Sequence, residues 1–510
     1  MQISPEPSSR KSQHWLPPSP ILWMIGGAIA LFWICSSLRH WLFQSTGYDL
    51  GIYDQVTYLI GTRQPAISSI LGFHHLGNHG AWSVYPLGLL YAIYPSVYLL
   101  LLVQAIALAL GIWPTWSLAR LAGLNERLSL AIAGAYILYP VVFNINLFDF
   151  HPEVMALPAL LAAVLAARLG KTPWFCAAIV WVLGCKAVLS LTIVALGFWL
   201  FIFEKRRVCG AIALFLGGAW FAIVTQVIIP NFSGREVEGV WRYTYLGNSV
   251  LEIIVNIILK PDLVLGRLIS VSTLDYLYQL FFPVIWWLSP RYLTPLVPAI
   301  PTILINSLSD VPFQRSLAFQ YSIPVLPFLL VAVISSLEHR GSNLATSIVN
   351  LWQKFRKKEH SSPAFSLYNS RQLAPSIVVW SFIVFLMFGT YDRFEVYFTR
   401  LDTWQATREA ATLVQPQANV LTDNRLAPHF THRRVVKLLS QVSGDGDLTE
   451  FDYIVLNLRH PWPDTEEIGE NIANQLAGDP RFQLLYQRDD VLVFQQTPNS
   501  PSETRLKSGI

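Results

Sequence analysis

The chain has 510 residues, of which 53% are hydrophobic and only 13% charged, and its mean hydropathy is +0.42. Soluble domains carry about 25% charged residues, so an ordinary soluble fold is excluded. A formal charge of +4, spread along the chain, gives no basic footprint for nucleic acid.

The N-terminal stretch 1–20 is polar and proline-rich and is predicted to be a disordered cytoplasmic arm. The long apolar run after it lacks a small-residue cleavage site and reads as a signal anchor. Apolar runs then recur at 21–40, 96–118, 128–147, 154–168, 173–186, 187–203, 208–229, 274–289, 292–308, 321–338 and 374–391. A span needs roughly 20 apolar residues, fewer where protein surrounds it, so about eleven transmembrane helices are expected within 21–391. The shorter run Trp82 to Tyr94 is expected to be re-entrant or interfacial. The four cysteines (Cys35, Cys176, Cys185 and Cys209) lie in or beside these runs without disulfide or zinc spacing.

Charge orients the array. With the N-terminus inside, the inner loops hold Arg10 and Lys11, Arg120 and Arg127, Arg168 and Lys171, Lys205 to Arg207, and Arg291. The last adds Arg340, Lys354, Arg356 to Lys358 and Arg371. This is a positive-inside bias. It places 41–95, 148–153, 230–273, 309–320 and everything after about 392 outside. Residues 392–496 read as a small extracytoplasmic α/β domain. It has a helix near Thr403–Leu413, strands at Val420-Leu421, Val435–Leu439 and Tyr453–Leu456, and a hairpin of Phe482–Tyr486 with Val491–Phe494. The tail 497–510 is polar and predicted to be disordered.

Candidate chemistry gathers on the outer side. The first outer loop carries Asp49 and Asp54 in Tyr48-Asp49-Leu50-Gly51-Ile52-Tyr53-Asp54-Gln55, then His74, His75 and His79; the second is Phe148-Asp149-Phe150-His151-Pro152-Glu153. Carboxylates partly desolvated beside aromatics suit a base or a metal ligand, and helix capping is the alternative for Asp49 and Asp54. Five residues apart, those two point about 140° apart on a helix, so they face one atom only if the helix breaks, for instance at Gly51. His75 and His79 have the i, i+4 spacing of two metal ligands, although Gly77 weakens that helix. Lys186 divides two apolar runs, where an ionisable group is functional or snorkels to the interface. Arg235, Arg242 and Tyr243, and later Gln320 and Tyr321, suit a lipid phosphate or an interfacial anchor.

At these residues the chain resembles an uncharacterised family of predicted bacterial and archaeal membrane proteins, of the domain-of-unknown-function kind. The resemblance rests on Tyr48 to Gln55, Phe148 to Glu153, Arg242-Tyr243 with Leu246-Gly247, and Ala427-Pro428-His429. The chain departs from that family at Lys186-Ala187-Val188, where Lys-Glu-Asp is usual, and at Gln320, where histidine is usual. More loosely, it resembles the GT-C superfamily of membrane glycosyltransferases, which use polyprenyl-phosphate sugars and place a catalytic acid just after span one. That resemblance implies a GT-C-like fold in the plasma (inner) membrane, with Asp49 and Asp149 catalytic. Asp54, His151, Glu153, Lys186, Arg235, Arg242, Tyr243, Gln320 and Tyr321 would bind substrate. It also implies a polyprenyl-phosphate-linked sugar as partner and allows a divalent metal, for which His75 and His79 are the candidates. The alternatives are a flippase or transporter for lipid-linked sugars and a non-catalytic envelope assembly protein.

Overall fold

A computed structural model describes residues 17–235, 237–339, 370–442 and 446–497. Most of the expected N-terminal arm, the last inner loop with Arg340 to Lys358, and almost all of the tail from 497 lie outside the described residues.

Each apolar run of the sequence contains a helix, but fewer are full spans than expected. Among the described residues, five helical stretches are long and apolar enough to cross a membrane: Ser19–Trp41, Val97–Leu121, Arg207–Ser233, Gln320–Glu338 and Gln372–Thr399. A sixth is the pair Glu126–Ile137 and Pro140–Asn146, bent by 42° where Pro140 opens the second helix. The other expected spans are shorter: Glu153–Arg168, Thr172–Leu183, Leu189–Ile202, Val271–Phe281 and Thr294–Leu308. Length and apolarity therefore do not establish eleven crossings. The physical reason is visible at Lys186, which sits in the break between Thr172–Leu183 and Leu189–Ile202, as the sequence predicts. Gln320–Glu338 is the central helix, 94% buried, whereas Ser19–Trp41 is only 22% buried and turns its apolar surface outward. The run around Trp82 holds just an eight-residue helix, Val84–Tyr91.

The C-terminal part forms a sheet of β3 (Val420–Thr422), β4 (Val436–Leu438), β5 (Tyr453–Asn457), β6 (Phe482–Arg488) and β7 (Val491–Gln496), after a two-stranded β1 (Ile67–Ser68) and β2 (Phe73–His74) in the first outer loop. The order is β4-β3-β5-β7-β6. β3 runs parallel to β4 and β5, while β7 is antiparallel to β5 and β6. The β6–β7 hairpin turns on Asp489 and Asp490, both with positive φ (49° and 61°), the geometry that tight hairpins require. One face of the sheet packs against Trp404–Leu413 and the other against Glu466–Gly478 through Ile472 and Leu476. Ile52 and Ile70 of the first outer loop share the core of the first face. That shared core joins the sheet to the segment bearing Asp49.

Candidate functional site

Asp49 lies on a one-turn π-helix, Gly47–Gly51, that runs directly into the α-helix Ile52–Gly61. π-turns of this kind re-aim side chains. Here Asp49 and Asp54 diverge, as a 140° offset demands. Asp49 Oδ1 is 3.0 Å from His151 Nε2. Asp54 is buried and accepts from the hydroxyls of Tyr91 and Thr431, with His432 Nε2 at 3.1 Å. Asp54 thus joins the membrane part to the sheet domain. Gly47 approaches that domain so closely that a Cβ would lie 3.0 Å from Ala427 Cβ and Leu438 Cδ2. The amide N–H groups of Gly47 and Tyr48 donate to Asn424 Oδ1 at 2.9 and 3.3 Å.

The second outer loop supplies the rest of the acid cluster. Asp149 is buried, and Arg39 donates to both of its oxygens. The Thr46 amide and hydroxyl donate to its Oδ2 at 3.0 and 2.7 Å. Its φ of 130° is a strained conformation for a residue with a side chain, held only where surroundings over-determine it. The Asp149 carbonyl lies 3.2 Å from His151 Nδ1. Both ring nitrogens of His151 therefore face oxygens that only accept, and both bonds exist together only in the imidazolium. Burial works against that charge, but Asp49 outweighs it and raises the His151 pKa. Burial likewise opposes ionisation of Asp49, yet His151 and then Lys186 hold its carboxyl below the usual range. The Asp49 side chain is 28% exposed and that of His151 only 2%, so Asp49 is the accessible member of the pair.

Beside this cluster lies a cavity of about 330 Å³. Its polar end includes His79, Glu153, Lys186, Arg242, Gln320 and Tyr321, and its walls are aliphatic, from Leu189, Ile229, Ile253, Ile257 and Leu304 among others. Lys186 donates to Glu153 Oε1, leaving Oε2 buried without a partner. The Arg242 guanidinium lies over the rings of Trp241 and Tyr321 at 5.3 and 5.4 Å. Arg242 Nε, Gln314 Oε1 and Gln320 Oε1 are also buried and unpartnered. Such groups are costly unless something satisfies them.

Tyr243 also lines the cavity, its hydroxyl donating to the Ile305 carbonyl at 3.0 Å. Arg235 is exposed and outside the lining. His75 is buried with Nε2 3.0 Å from the Ala81 carbonyl, and burial pushes its pKa down to about 4. Among the described residues, no three His, Cys, Asp or Glu side chains converge to hold a metal ion.

Sequence reasoning did not single out Arg39, Thr46 or Asn424. Arg39 carried a signal, since a cation at the expected outer end of span one runs against the positive-inside bias and implies an intramembrane partner. Asn424 carried none beyond ordinary turn chemistry.

The structure is similar to that of ArnT from Cupriavidus metallidurans bound to undecaprenyl phosphate, at 13% identity and a TM-score of 0.53, covering 95% of this chain and 99% of that one. Apo ArnT from the same organism gives 14% identity and a TM-score of 0.50, covering 92% and 98%. At such identity the likeness is one of fold, and it agrees with the GT-C-like architecture expected from the sequence. No curated protein matches the sequence. The family described as predicted membrane protein (DUF2079) matches residues 39–493. With nine-tenths of its length matched, the chain belongs to the DUF2079 family of predicted membrane proteins.

Proposed function

We propose that this protein is a membrane glycosyltransferase that moves a sugar from a polyprenyl-phosphate donor to an envelope acceptor at the outer face of the plasma membrane. The sheet domain lies outside and the N-terminus inside, as the loop charges argue. The observation that carries the reading is the cavity: aliphatic walls lead to two cations and four buried, unpartnered polar atoms. A lipid-linked sugar phosphate fits that division. Its tail takes the walls, Lys186 and Arg242 meet the phosphate, and sugar hydroxyls donate to Glu153, Gln314 and Gln320. The ArnT structure of similar fold was solved bound to undecaprenyl phosphate, which supports a polyprenyl-phosphate ligand.

In the reaction, the acceptor oxygen attacks the anomeric carbon as the bond from that carbon to the phosphate oxygen breaks. Polyprenyl phosphate leaves with the electron pair, stabilised by Lys186 and Arg242. The acceptor proton passes to Asp49, the more accessible carboxylate of the cluster. His151 orients Asp49 and keeps it ionised in the absence of acceptor. Asp149, saturated by Arg39 and Thr46, acts by fixing the His151 loop.

The test compares envelope glycans and glycolipids in wild type, a deletion strain and an Asp49→Asn strain. Loss of the same species in both altered strains is expected. An unchanged profile in all three would sink the enzyme reading.

A further inference from the structure

The cavity wall nearest the third outer loop is a single helix, Val250–Leu259, with no buried residue. It has three distinct faces. Val250, Ile253, Ile254 and Ile257 line the cavity, the i, i+3, i+4, i+7 pattern of one stripe. Glu252 and Asn256, four residues apart, form a polar stripe already satisfied within its own loop. Glu252 Oε2 accepts from the Asn248 amide at 2.7 Å, and Asn256 Nδ2 donates to the Leu246 carbonyl. The remaining face is apolar and uncovered: Leu251 is 72% exposed, Val255 43% and Ile258 75%.

A helix apolar on two adjacent faces, with a single polar stripe, is at home in protein or in lipid, not in water. Two observations choose lipid. The apolar surface continues past Lys260 through Leu263, Leu265, Ile269 and Val271, all exposed, into the helix Val271–Phe281, where the sequence predicts the span 274–289. Arg267, on the intervening helix Pro261–Leu268, pairs with Asp310 and lies 4.8 Å from the Tyr245 ring centroid, an aromatic-and-cation anchor of the kind found at membrane interfaces.

We infer that Val250–Leu259 is immersed in the leaflet on the sheet-domain side, with lipid acyl chains on Leu251, Val255 and Ile258. It is then a partition one helix thick between cavity and bilayer. The surrounding loop had been expected to lie outside the membrane, so this places part of it within.

The inference stands apart from the transferase reading, because immersion is measured without activity. Single cysteines at Leu251, Val255 and Ile258 would be spin-labelled in a full-length chain whose four native cysteines are replaced, then reconstituted in phosphatidylethanolamine–phosphatidylglycerol vesicles. Phe215→Cys, 74% exposed on the span Arg207–Ser233, is the lipid standard, and the exposed Gln415→Cys on the sheet domain the water standard. Labels at the three positions should match the Phe215 standard, colliding several-fold more with oxygen than with a water-soluble nickel chelate. Nickel accessibility like that of the Gln415 standard at all three would overturn the inference, whatever the protein transfers.

Discussion

His151 is held between the Asp49 carboxylate and the Asp149 carbonyl, and its charge sets the behaviour of the acid beside it. Asp49, with a lowered pKa, contributes stability above the ordinary carboxylate value of about 4 and loses it as pH falls through its own lower value. His151, with a raised pKa, contributes below the ordinary imidazole value of about 6.5 and loses it as pH rises through its own higher value. The pair is therefore intact across that window and beyond both ends. His151→Gln should raise the Asp49 pKa, moving the acid limb of the pH–rate profile upward and removing the alkaline limb; a profile superimposable on wild type would refute this coupling. Asp49→Asn should lower kcat by about 10²–10⁴-fold, the usual contribution of a positioned base, with lipid binding unchanged. Arg39→Met leaves Asp149 buried without its cation, which costs about 3–5 kcal/mol and should be read as a lower midpoint of thermal unfolding in detergent. Asp149→Asn leaves Arg39 buried without its anion and turns an amide NH2 towards the guanidinium, so it should lower that midpoint by a comparable amount.

At the scale of elements, the π-helix carrying Asp49 is fixed from the far end of the chain. Asn424→Ala strips the acceptor from the Tyr48 amide, a loss of about 1–3 kcal/mol that should appear as faster hydrogen exchange through Gly47–Gly51 and a fall in kcat with KM unchanged. Gly47→Val would push a side chain into Ala427 and Leu438, and should make the sheet domain more susceptible to limited proteolysis. How far these elements were legible depended on their physics. The strands of the C-terminal sheet were readable because short, nearly continuous apolar runs between polar turns report buried strands locally, and all five fall within two residues of the expected positions at either end. The helix Glu466–Gly478 was not anticipated, although Ile468, Ile472 and Leu476 carry the four-residue spacing of a helical stripe. The break at Lys186 was legible as a charge between apolar runs. Its bond to Glu153, which comes from a different helix, was not, because pairing of distant segments leaves no local pattern.

For the whole molecule, hydropathy indicated a membrane protein with a terminal sheet domain, and the loop charges gave it a direction. The number of crossings was less legible, because short helices surrounded by protein need not be as long or as apolar as helices that meet lipid. The site arises where three levels meet: loops from the first two outer segments, a cavity among shorter helices, and a sheet domain that locks the first loop. Lys186 and Arg242 sit at the junction of cavity and acid cluster, and the whole reading turns on their meeting a lipid phosphate. The direct measurement is a native mass-spectrometric titration of undecaprenyl phosphate against the purified wild-type chain and a Lys186→Ala, Arg242→Ala double variant. Each charge-assisted bond contributes about 1.5–3 kcal/mol, and about 1.4 kcal/mol is a factor of ten. Saturable binding by the wild type, weakened more than about tenfold in the double variant, is predicted; no binding by the wild type, or equal binding by both, would contradict the account.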